Sequence, residues 1–181
     1  IQSAALLSND TDQDQGDSKN MLDVSATSLL GASVSLVNGE LVYDHGGRFN
    51  SLRAGESVID SFSYIMGDAA GTISTATVNV TITGVNDTPQ ANADAATTSE
   101  NDALTVLATA TLLANDADPD AGDTLSVMGF DAVTHQGNAV TLDASGNLVF
   151  DIANRYQSLA AGQTAIDTFN YTISDESGAT R

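Results

Sequence analysis

The 181-residue sequence predicts an all-β chain of two tandem antiparallel β-sandwiches, and three observations predict it. The chain repeats itself: "LLSNDTDQDQGDSKNMLDV" from Leu6 and "LLANDADPDAGDTLSV" from Leu112 open two copies spaced by 106 residues. "GELVYD" at 39–44 then matches "GNLVFD" at 146–151, and "FNSLRAGESVIDSFSYIMGDAAG" from Phe49 matches "YQSLAAGQTAIDTFNYTISDESG" from Tyr156. Self-similarity over nearly the whole length marks two copies of one structural unit. Apolar and polar residues alternate at the period of a half-buried strand. No stretch carries a sustained apolar stripe at helical spacing, while Thr, Ser and Val are plentiful and Gly and Asn punctuate the short runs.

The elements follow in chain order. Each copy opens with a cluster of carboxylates, Asp10, Asp12, Asp14 and Asp17 in the first, Asp116, Asp118, Asp120 and Asp123 in the second. The "NG" of "SLVNGELVYD" and the "SG" of "TLDASGNLVF" read as hairpin turns, because Asn and Gly tolerate the positive φ such turns require. "DSFSYIM" places Phe62, Tyr64 and Met66 on one strand face, and "DTFNYTI" does the same with Phe169, Tyr171 and Ile173. "STATVNVTIT" turns Val78, Val80 and Ile82 inward. The chain then passes through the short acidic segment "GVNDTP", where Pro89 fixes one φ and bars its neighbour from helix, so the boundary is crossed extended. The domains are therefore 1–85 and 86–181, each with about seven strands.

The copies are cut at opposite ends. The first begins close to its Asp cluster and lacks the strand that "TTSENDALTV" supplies to the second; the second lacks a counterpart of "ISTATVNVTIT". Either the chain belongs to a longer array, or another copy supplies the missing strands by exchange across an open sheet edge.

Composition excludes several classes of function. With 24 acidic against 5 basic residues and a formal net charge of -19, the chain repels nucleic-acid backbones and anionic lipid surfaces. No apolar run approaches the roughly 18 residues of a membrane span, and no basic region followed by an apolar core marks a targeting segment. The absence of Cys removes disulfides and thiolate metal sites, and suits secretion without oxidative folding. His45 and His135 do not match between the copies and no "GxSxG" setting is present, so neither composition nor motif points to an enzyme.

Taken together, "NDxDxDxGD", "GELVYD", "AGESVIDSFSY" and "VTITGVNDTP" resemble, in order and spacing, the cadherin-like or VCBS-type tandem repeats of large secreted bacterial adhesins of the RTX type. The resemblance implies Ig/cadherin-like β-sandwiches in an extended arrangement, located outside the cell or on its surface, with calcium between consecutive domains. Carried over residue by residue, it implies Asn86 and Asp87 as the linker ligands and Asp118 and Asp120 as the paired aspartates, with Asp116 the rival if the pair is shifted. Glu56 or Asp60 stands for the acidic group of the first domain. Asp175 stands for the acidic residue after the strand ending in "YTIS", with Asp68 its counterpart. Asp12 and Asp14 repeat the pair in the first copy, and Glu100 resembles the first-strand Glu that serves the far end of the second. Gly84 and Thr88 depart from the linker pattern, which implies fewer ions per junction.

The chemistry of the residues is compatible with this. Calcium takes six to eight oxygen ligands in tolerant geometry. An EF-hand is excluded, because Gly16 and Gly122 fall at the seventh loop position and Met21 and Val127 stand where the bidentate Glu belongs. Aspartates in turns also cap backbone N–H groups without any metal, and Asp44, Asp131, Asp143 and Asp151 read as such. Two functions from different classes follow: a calcium-stiffened stalk whose partners are adjacent repeats of the same polypeptide, in cell adhesion or biofilm formation, or a module that binds carbohydrate or another surface protein. A sugar site needs an aromatic platform, and only Phe49, Phe130 and Tyr156 lie outside the expected core.

Overall fold

The computed structural model describes residues 1–181 other than Gln15, Ala103 and Ala153. The chain divides into two compact units, Ile1–Val85 and Asn86–Arg181. In the first unit, β1 (Asn20–Val24), β4 (Ser57–Gly67) and β5 (Ile73–Thr83) form one antiparallel sheet in the order β1-β4-β5, and β2 (Ser33–Val37) pairs with β3 (Glu40–Asp44) in a second. The core between them is Val34, Leu41 and Phe62, with Met21, Val24, Tyr43, Val78 and Val80 packed around it. In the second unit, β6 (Leu104–Leu107), β9 (Leu148–Asp151) and β8 (Ala139–Leu142) form one sheet, and β7 (Ser126–Phe130) pairs with β10 (Tyr171–Ser174) in the other. Leu112, Val140 and Leu148 make its core with Phe130, Phe150, Phe169 and Tyr171. Both units are thus antiparallel β-sandwiches, closed by the inward-facing row of each strand.

Each unit has five strands among the described residues, fewer than the seven expected, for a physical reason visible by comparing the copies. β4 runs for eleven residues because β5 pairs with it from Ser57↔Thr83 to Gly67↔Ile73. Its counterpart in the second unit has no such partner, and only its last part, β10, is held as a ladder by β7. The Asn38–Gly39 turn between β2 and β3 has φ of 51° and 80°, the two positive values a tight hairpin turn needs. Both copies also carry a β-bulge, between Met21 and Asp23 and, in the second, opposite Thr172 and Ile173, which turns Leu22 and Met128 out to solvent.

Two short helical turns were not legible in the sequence. α1 (Ser3–Leu6) and α2 (Thr109–Leu112) each run into a 3₁₀ turn, Leu7–Asn9 and Leu113–Asn115. Four residues are too few to show a helical period. Their function is positional: Leu7 and Leu112 are buried, and the chain leaves each turn extended at Asp10 or Asp116, the first residue of the acidic cluster.

A hydrogen-bonded carboxylate organises the other end of each sandwich, buried in the first and half-buried in the second. Asp60 is fully buried in β4, in phase with Phe62 and Tyr64. The Ser28 hydroxyl, the Leu30 amide (2.8 Å), the Tyr43 hydroxyl (2.7 Å) and the Ser61 amide (2.7 Å) all donate to it. Burial works to raise its pKa, but these donors, Ser28 and Tyr43 foremost, outweigh burial and bring it down to about 2. Asp167 is its counterpart, accepting from Thr134 (2.6 Å), Asn138 (2.6 Å), the Gln136 amide (2.9 Å) and Tyr156 (3.1 Å). The phenol donor comes from different positions in the two copies. The first has Tyr43 and Phe49 where the second has Phe150 and Tyr156, so one hydroxyl reaches the carboxylate in each.

Candidate metal centre

The acidic cluster of the second unit is assembled from three separate parts of the chain. The turn after α2 brings Asp116, Asp118, Asp120 and Asp123 around one concavity. The end of β10 presents Asp175, and the entry segment of the unit presents Asn86 and Asp87. Local hydrogen bonds fix the loop: the Asp118 carboxylate accepts the Asp120 amide at 2.8 Å, and the backbone N–H of Asp87 donates to Asp120 Oδ2 at 2.8 Å. The Asn86 side-chain amide donates to Asp175 Oδ2 at 2.8 Å, and the Ala179 amide to Asp175 Oδ1 at 2.9 Å. The Asn86 amide foremost, together with backbone N–H groups, holds the Asp175 carboxyl below its ordinary value against the opposing effect of desolvation.

One carboxylate oxygen each from Asp118, Asp123 and Asp175 lies within 4.8 Å of the others. Beside them stand buried oxygens without a hydrogen-bond partner: Asn86 Oδ1, Asp116 Oδ2, Asp118 Oδ2 and Asp120 Oδ1. Asp120 is 1% exposed, so its orphaned oxygen is a buried charge that no group among the described residues satisfies. Such a group costs several kcal/mol unless a cation meets it. The available donors are all oxygens, the set a hard cation such as calcium takes, whereas His45 and His135 are exposed and outside the group.

The residues singled out in the sequence therefore separate. Asn86, Asp116, Asp118, Asp120 and Asp175 come together, and Asp87 joins them through its backbone N–H. Asp123 completes the set; the carry-over from the resemblance stopped at the Asp118/Asp120 pair, although the recurring "GD" of the cluster carried the signal. In the first unit Asp12, Asp17 and Asp68 gather in the same way, half-buried, while Asp14 is exposed where its counterpart Asp120 is buried. Asp60 is a correction: both its oxygens are engaged in the core, and its phase with Phe62 and Tyr64 marks it as inward-facing. Glu56 is exposed and accepts the Arg53 amide at 3.1 Å. Glu100 keeps one buried oxygen without a partner, but its neighbour is Gln157, and it is outside the gathered group.

The aromatic residues left over by the sequence are also placed. Phe130 packs against the core, Tyr156 donates to Asp167, and Phe49 is half-buried with its ring 5.8 Å from that of His45. None of the three stands as an open platform. Among the described residues, no helix is long and apolar enough to cross a membrane.

The profile of the bacterial cadherin-like domain matches residues 86–181, more than half of the chain, over the whole of the second unit and its acidic cluster. The chain belongs to the bacterial cadherin-like domain family. The bacterial Ig domain profile matches residues 1–81 of this cadherin-like chain, in agreement with two related sandwiches in series. No curated protein matches it. Cadherin-like and Ig-like domains are structural families, not enzyme families, and in bacteria they are typically extracellular repeat modules.

Proposed function

We propose that the chain is a calcium-binding extender repeat from the stalk of a secreted bacterial adhesin, serving cell adhesion or biofilm formation at the cell surface. The observation that carries this reading is the buried Asp120 carboxylate, with one oxygen unsatisfied beside the converging oxygens of Asp118, Asp123 and Asp175. In a chain of formal charge -19, such a cluster is a source of repulsion unless a divalent cation neutralises it. Asp118, Asp120, Asp123, Asp175 and the Asn86 amide oxygen hold the ion; Asp12, Asp17 and Asp68 form a more exposed counterpart. Bound calcium supplies charge compensation, and these side chains tie the entry segment of the second unit to its body. Binding to the folded state alone adds stability, about 2.7 kcal/mol at a hundredfold excess over the dissociation constant.

The experiment is thermal unfolding in excess calcium chloride and in excess EGTA. The reading expects the second unit to melt several degrees lower in EGTA, and an Asp118→Asn/Asp120→Asn variant to melt at one temperature in both. A wild-type melting curve that does not move on chelation overturns it.

A further inference from the structure

The two acidic clusters match in their aspartates but not in charge. At the spacing of 106, Asp10, Asp12, Asp14 and Asp17 align with Asp116, Asp118, Asp120 and Asp123, and two positions further on Lys19 stands where the second copy has Leu125. Lys19 is the single lysine of the chain. Leu125 lines the concavity of the second cluster and brings no charge to it.

Lys19 is turned back onto its own cluster. It is half-buried, and its ammonium donates to the Asp10 carbonyl oxygen nine residues earlier, closing the acidic loop on itself. Asp10 is extended, so Asp12 follows within about 7 Å of backbone, and Asp17 precedes Lys19 by two residues. At such distances, inside one Debye length, a fixed positive charge offsets part of the negative potential of Asp12, Asp17 and Asp68, whose oxygens lie within 4.8 Å of one another.

The carboxylates differ accordingly. The Tyr64 hydroxyl donates to Asp10 Oδ2 at 2.6 Å, the Asp14 amide to Asp12 at 2.8 Å and the Ser18 amide to Asp17 at 3.2 Å. Among the described residues, no aspartate of the first cluster keeps a buried side-chain oxygen without a partner, whereas Asp116, Asp118 and Asp120 each keep one. The first cluster leaves its charge to water and one ammonium, while the second buries charge that nothing among the described residues offsets.

Resting on the calcium reading above, we propose that Lys19 is a built-in counter-cation of the first cluster, weakening calcium binding there, so that one side chain sets a difference in affinity between two otherwise matched clusters. An ion entering beside Asp12, Asp17 and Asp68 meets the repulsion of the ammonium and finds the Asp10 carbonyl already engaged. At the second cluster the same ion meets the uncharged side chain of Leu125 instead. Calcium therefore acts chiefly on the second unit.

The test is calorimetric titration of calcium chloride into the whole chain, as wild type and in an Asp120→Asn background that silences the second cluster. In that background Lys19 is kept or replaced by Leu, Gln or Arg. Lys19→Leu installs the residue of the second copy, Lys19→Gln removes the charge while keeping a donor for Asp10, and Lys19→Arg keeps the charge. The expected result is that the Leu and Gln variants bind calcium at the first cluster at least about threefold more tightly than the background, while the Arg variant does not. The Gln and Arg pair decides the matter even where the Leu variant fails to fold. Equal calcium affinity in these two overturns the proposal and leaves the calcium reading standing when the wild type binds. No heat of binding in the wild type overturns both.

Discussion

Replacing Tyr43 by Phe is expected to destabilise the first unit by about 2 kcal/mol. The ring is kept, so the stacking on Phe62 with centroids 6.1 Å apart survives, and only the hydroxyl donating to Asp60 at 2.7 Å is lost. A hydrogen bond to a buried charge contributes about 1.5–3 kcal/mol, and the three remaining donors to Asp60 keep the loss within that range. For a unit of this size, 2 kcal/mol corresponds to a fall in Tm of roughly 10 °C. The second copy provides the rescue, since its phenol reaches the matching carboxylate from Tyr156, the position of Phe49. A Tyr43→Phe/Phe49→Tyr variant is therefore expected to recover at least half of the loss. Urea unfolding followed by circular dichroism measures all three proteins, with the second unit as internal reference. A single variant within about 0.5 kcal/mol of wild type, or a double variant no better than the single, refutes the account of the exchanged hydroxyls.

The remaining predictions concern pH, sterics and metal. Asp60 has a folded-state pKa of about 2, below the unfolded value of about 3.9, so its contribution is complete above the unfolded value and is lost as pH falls toward the folded one. Acid titration of stability should be flat from pH 7 to about 5, steepen between about 4 and 2, and be shallower in Tyr43→Phe. Gly84→Ala forces a methyl group against two backbone carbonyls and is expected to cost the first unit more than about 2 kcal/mol, whereas Gly129→Ala on β7 meets nothing within 4 Å and should be close to neutral; thermal scans compare the two. Asp175→Asn should weaken calcium binding at least tenfold in a titration while leaving the first unit's unfolding unchanged.

The fold was legible because strand alternation and the repeat are written at length scales that side-chain pattern reveals. Phe62, Tyr64 and Met66 alternate in phase, and Asn38–Gly39 marks its turn by two residue types with one conformational reason to be there. The helical turns before each cluster were not, since four residues carry no period. The site was half legible. Density of carboxylate located the loop, but which oxygens converge depends on contacts 33 to 89 residues apart, such as Asp87 with Asp120 and Asn86 with Asp175. Asp60 shows the opposite case: the resemblance implies Glu56 or Asp60 as the acidic group of the first domain, while the phase of Asp60 with Phe62 and Tyr64 places it in the core.

Calorimetric titration of calcium into the wild-type chain and into an Asp120→Asn variant tests the central claim most directly. The account predicts binding to the second-unit site in the wild type and its loss in the variant, because the variant removes the charge of the carboxylate whose buried oxygen has no hydrogen-bond partner among the described residues. Binding of equal affinity and stoichiometry in both proteins, or no binding in either, contradicts it.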